Sequence, residues 1–149
     1  MYKHILIPLD NSSSDDIILR HIRPLAKMTG GDLILVHVAD GYGARYQNQL
    51  NLEDSEEITQ DRQYLEARKN ELSNEGFKVK TLLTAGDPAN EILSIAKKEK
   101  CDLIAMSTHG HRFVKDVILG SVAESIRHRT DIPILMIRAT RKERPPRKK

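Results

Sequence analysis

Asp102-Leu103-Ile104-Ala105-Met106-Ser107-Thr108-His109-Gly110, followed after nine residues by Gly120-Ser121-Val122-Ala123-Glu124-Ser125-Ile126, decides how this 149-residue chain folds. The apolar run up to Ala105 has the pattern of a strand buried on both faces, and Val122 onward reads as the start of a helix. A strand that ends in small residues and feeds a helix N-terminus is a ready anion site: backbone N–H groups point outward there and the helix dipole favours negative charge. Gly110 and Gly120 lack a Cβ and would let a phosphate approach the backbone. Ser121 and Glu124 fit the S-x-x-E capping box, which predicts Ser121 as the N-cap. Two readings stay open here: a well-capped helix after a glycine turn, which requires no ligand, and a phosphate cradle. The stretch is neither G-x-G-x-x-G nor G-x-x-x-x-G-K-[ST], so the two best-known glycine fingerprints do not arbitrate.

Outward from this stretch the chain alternates strand and helix. His4 to Leu9 is a near-continuous apolar strand ended by Asp10, and Asn11 to Asp16 supplies helix caps and early-turn acids. Ile17, Ile18, Ile22, Leu25 and Ala26 give the following helix an apolar face. Pro24 within it predicts a kink or a shortening, and Gly30-Gly31 a stop. Leu33 to Val38 is a second buried strand, in which His37 reads as a hydrogen-bonded core residue, not a metal ligand. Asp40 to about Leu52 reads as a long loop. Glu56 to Leu72 is a charged amphipathic helix with Ile58, Leu65 and Leu72 on its apolar side, terminated at Asn74-Glu75-Gly76. Phe77 to Ala85 alternates like a strand, Asp87 and Pro88 open another helix, and Ile132 to Ile137 is a last strand. The β-α-β-α-β-α-β-α-β order implies a parallel sheet with helices on both faces and right-handed crossovers, an open three-layer α/β/α sandwich of Rossmann-like type.

Composition bounds the functional classes. With 39% hydrophobic residues, 149 residues suffice for one domain with its own core. No apolar run approaches the roughly 20 residues of a membrane span, and the N-terminus has no signal-peptide layout. The single cysteine, Cys101, excludes an internal disulfide framework and fits a reducing cytoplasm. The formal charge of +3 belongs to the end of the chain, because residues 139–149 hold six basic residues against Glu143. The rest carries 18 basic and 20 acidic residues, so the expectation is a domain over 1–138 and a basic, flexible tail over 139–149, with no membrane or nucleic-acid partner.

Ser107-x2-Gly110-x9-Gly120-Ser121 resembles the G-x2-G-x9-G-[ST] signature of ATP-binding universal stress proteins, with Ser107 in place of the first glycine. Tyr2 to Asp10 resembles that family's first strand, Val36-His37-Val38 its second and Pro133 to Arg138 its last. The resemblance implies strand order 3-2-1-4-5, which makes strands 1 and 4 neighbours at the switch point where open α/β sheets bind ligands. It implies ATP with Mg²⁺ as counter-ion, in a site of Pro8, Leu9, Asp10, Val38, Met106, Ser107, Gly110, His111, Arg112, Gly120, Ser121 and Val122. Asp10 would read the ribose hydroxyls, Pro8, Leu9 and Val38 would wall the adenine, and Arg112 with Lys115 would pair phosphates or remain solvated. A homodimer through Ile132 to Ile137 is also implied, serving a client the sequence does not name.

Catalysis has little support: there is no Walker lysine, no G-x-S-x-G elbow and no convergent acid–base pair. His109 and His111 make an incomplete ligand set, so neither a catalytic residue nor a metal site is expected. The reading is an ATP-binding regulator or sensor in stress physiology. The alternatives are a nucleotide-free dimeric interaction module, which Ser107 keeps open, and a slow ATP hydrolase.

Overall fold

The computed structural model describes residues 1–39, 56–107 and 116–138, with residue 57 and residues 116–121 described by their backbone only. Among the described residues nine elements alternate: β1 (His4–Pro8), α1 (Ser14–Thr29), β2 (Asp32–Ala39), α2 (Glu56–Asn74), β3 (Val79–Ala85), α3 (Pro88–Lys98), β4 (Leu103–Ser107), α4 (Asp116–Arg129) and β5 (Ile134–Ile137). The strands form one sheet in the order β3-β2-β1-β4-β5, and every neighbouring pair is parallel. This is the open α/β sandwich that the alternation implied, with the strand order that the family resemblance implied.

Period-two alternation sorts the strand side chains into two cores. Ile5, Ile7, Leu33, Leu35, Leu103 and Ala105 face one way, against Ile18, Leu19 and Ile22 of α1 and Leu65 and Leu72 of α2. Leu6, Ile34, Val36, Ile104 and Met106 face the other way, against Ile92 and Ala96 of α3 and Ala123 and Ile126 of α4. Burying each large aliphatic side chain contributes about 1.5–3 kcal/mol, and both faces of β1 and β4 are used. β5 has β4 as its partner and leaves Met136 45% exposed.

Several local expectations hold. Gly30 caps α1 in the left-handed region at φ 69° and donates its N–H to Ala26 at 2.8 Å. The Asp87 carboxylate accepts the Asn90 N–H at 2.9 Å, with Pro88 in the first turn of α3. Two expectations do not. Of the kink or shortening expected at Pro24, the shortening does not occur, since α1 runs on to Thr29: Pro24 lies on the exposed side, while Ile22 and Ala26 on either side are buried and hold the helix to the sheet. Ser121 is not an N-cap, because α4 begins at Asp116 and Gly120-Ser121 lies within it. The free N–H groups of a helix belong to its first four residues, so those of α4 precede Gly120.

Candidate functional site

β1 and β4 run side by side at the centre of the sheet, Ile5 opposite Leu103 and Leu6 opposite Ile104. That offset sets Leu9 level with Ser107, so the two strands end together where the chain order reverses. In open α/β sheets this edge is where ligands bind. Two buried side-chain atoms among the described residues have no hydrogen-bond partner, Asp10 Oδ2 and Ser107 Oγ. They stand at the ends of these two neighbouring strands. Buried polar atoms are nearly always paired, so an orphaned acceptor and an orphaned hydroxyl at this edge fit a ligand carrying hydroxyl or other donor groups.

The turn after β1 is tightly held. The Leu9 N–H donates to the Val36 carbonyl at 2.8 Å. The Asp10 carboxylate accepts the Ser12 hydroxyl on Oδ1 at 2.5 Å, which leaves Oδ2 in reserve. Asn11 sits in the left-handed region at φ 62°, a conformation that asparagine tolerates better than most residues. Asp15, in the first turn of α1 and almost fully buried, reaches back to accept the N–H groups of Asp10 at 3.1 Å and Asn11 at 2.9 Å. Burial, and then the neighbouring Asp10 charge, push its carboxyl up to about 7 against the hydrogen bonds it accepts.

A second layer comes from α2. The Tyr64 hydroxyl donates to Asp15 Oδ2, and Arg68 donates from Nε to the Tyr64 hydroxyl at 3.2 Å and from a guanidinium N–H to Asp16. Burial, and then the Asp15 charge, raise the Tyr64 phenol far above its ordinary range, so the hydroxyl remains a donor. His37 bridges β2 to the same turn: Nδ1 donates to the Leu9 carbonyl at 2.8 Å, and Nε2 lies 3.2 Å from Asp61 Oδ2. The hydrogen-bonded role expected for His37 is therefore what the structure shows.

The remaining sequence-derived positions divide by place. Pro8 ends β1 beside Val36. The Leu9 and Met106 side chains are buried in the two opposite cores, so what they can offer a ligand is backbone. Val38 and Val122 are partly buried against the α3–α4 core. Gly120 and Ser121 are helical residues of α4. Gly110, His111 and Arg112 lie outside the described residues, as do His109, Lys115, the loop from Asp40 to Leu52 and the tail. Sequence reasoning missed Asp15, Asp61 and Tyr64. Asp15 stands in a run of cap-forming residues, and only its contact with α2 distinguishes it. Among the described residues no group of three or more His, Cys, Asp or Glu side chains is placed to hold a metal ion, and no helix is long and apolar enough to cross a membrane.

Comparison with known proteins bears on the same architecture. The family model described as "Universal stress protein family" matches residues 1–138. Universal stress protein MJ0577 of Methanocaldococcus jannaschii is 31% identical, covering 93% of this chain and 96% of its own length. Universal stress protein MJ0531 of the same organism is 32% identical over 96% of this chain and 86% of its own length. The solved structure of MJ0577 superposes with a TM-score of 0.78 at 33% identity, covering 95% of this chain and 99% of that one. A universal stress protein from Archaeoglobus fulgidus, solved in complex with dAMP, shares the fold with a TM-score of 0.65 at 18% identity, over 91% of this chain and 97% of that one.

Proposed function

Because this chain belongs to the universal stress protein family, we propose that it binds ATP at the shared end of β1 and β4 and acts as a nucleotide-dependent regulator or sensor in stress physiology. The observation that carries this reading is the pair of orphaned buried atoms, Asp10 Oδ2 and Ser107 Oγ, at the switch point of the sheet. A carboxylate oxygen held in reserve is a strong acceptor for ribose hydroxyls, and charge-assisted hydrogen bonds are roughly twice as strong as neutral ones. A serine hydroxyl both donates and accepts, and can meet a phosphate oxygen or a sugar hydroxyl. Ser107 in place of glycine thus brings a polar group to the site without closing it.

In this reading the backbone around Pro8, Leu9 and Val38 meets the adenine, and the Asp10 carboxylate meets the ribose. The phosphates lie toward Met106, Ser107, Gly110, His111 and Arg112, with Mg²⁺ as their counter-ion. The dAMP held by the Archaeoglobus fulgidus protein supports an adenine nucleotide as a ligand this fold accommodates. The protein works by binding, in the cytoplasm, as a homodimer paired through β5, whose open edge and exposed Met136 support that pairing. The test is nucleotide content and affinity. Denatured protein should release an adenine nucleotide identifiable by chromatography, and stripped protein should bind ATP with Mg²⁺ in a calorimeter. No heat of binding at millimolar ATP would overturn the reading and leave a nucleotide-free interaction module.

A further inference from the structure

Asp61, Tyr64 and Arg68 recur at i, i+3 and i+7 along α2 and therefore share one face of that helix. Two partly buried lines of contact run from this face to the same three residues of backbone. In the first, Arg68 donates to Tyr64, Tyr64 donates to Asp15, and Asp15 accepts the N–H groups of Asp10 and Asn11. In the second, Asp61 faces His37 Nε2 and His37 Nδ1 donates to the Leu9 carbonyl. One imidazole ring ties Asp61 of α2 to the Leu9 carbonyl. Leu9, Asp10 and Asn11 are thus gripped at a carbonyl and two successive N–H groups, next to the carboxylate that keeps one oxygen unpaired.

We propose that α2 is a clamp on the ligand-reading carboxylate, with Tyr64 and Asp61 as positioning residues that act through Asp15 and His37 to fix the Leu9–Asn11 backbone and aim Asp10. This rests on the nucleotide reading of the Asp10 site and adds the residues that hold its ligand-reading carboxylate in place. Neither Tyr64 nor Asp61 is a catalytic residue in this account, because each acts through another side chain.

Tyr64→Phe removes one hydroxyl without changing the shape of the ring and tests the clamp directly. Hydrogen exchange read by NMR should accelerate at the Asp10 and Asn11 amides while the amides of β1 stay protected. ATP affinity should fall about three- to tenfold, the range one buried hydrogen bond supplies. In an Asp10→Ala background the same substitution should cost no further affinity, since its effect runs through Asp10; Asp61→Asn should behave alike through Leu9. Unchanged exchange in Tyr64→Phe, or an equal loss of affinity with and without Asp10, overturns the clamp. Should the unmodified protein bind no ATP, the nucleotide reading falls and amide exchange decides alone. Acceleration confined to Asp10 and Asn11 then upholds the clamp, and wild-type exchange overturns it.

Discussion

Two aspartates stand at opposite ends of the same strand pair, and their hydrogen bonding separates a structural acid from one available to a ligand. Asp102, just before β4, uses both oxygens on its own protein: Oδ2 accepts the Lys3 N–H at 2.9 Å and Oδ1 the His4 N–H at 3.0 Å, fixing the start of β1. Asp10, just after β1, spends one oxygen on Ser12 and buries the other without a partner. Among the described residues the near end of the strand pair is closed on itself, while the far end keeps a buried carboxylate oxygen and a buried hydroxyl without partners.

The largest expected effect removes what the two ends share. Ile104 is fully buried at the centre of β4, and Ile104→Ala should lower the stability of both ends together by about 2–5 kcal/mol in denaturant unfolding. Next comes pH. The Asp15 carboxyl is raised from 3.8 to about 7 in the folded chain, so between those values the native state holds a proton that the unfolded chain has shed. Stability should fall as pH rises from about 4 to about 7, by at most on the order of 4 kcal/mol, and be independent of this group on either side. Asp15→Asn should flatten that part of the profile. Asp10→Ala should shift the decline to lower pH, because the neighbouring charge is gone.

The comparison sharpens with the two acids themselves. Asp10→Ala should weaken ATP about a hundredfold, the loss of two hydrogen bonds to a charged acceptor, and leave the melting temperature unchanged or higher. Asp102→Ala should do the reverse: ATP affinity unchanged and stability lower by about 1 kcal/mol, because water can replace part of what this accessible carboxylate supplies.

What could be read from residues alone follows the range of the interactions. The strands were legible because both faces of a central parallel strand are apolar, and Asp87 because capping is a local event over three residues. His37 was legible because a histidine inside an apolar run must find partners. The start of α4 was misplaced because Gly120 and the Ser121–Glu124 spacing look like a boundary, although Asp116-Val117-Ile118-Leu119 carries an early-turn acid and an apolar run of its own. Asp15 was read only as an early-turn acid. It also accepts the hydroxyl of Tyr64, 49 residues away on a helix whose docking no local pattern reports. Pro24 was overruled the same way, by the tertiary burial of Ile22 and Ala26 on either side of it.

The most direct test of the central claim is an amide chemical-shift titration with ATP and Mg²⁺ on isotopically labelled protein. The account predicts saturable shifts at Leu9 to Ser12 and at Ser107, with Lys3, His4 and Asp102 at the other end of the same strands unmoved. Shifts centred on the Asp102 end, or none at saturating nucleotide, would contradict it.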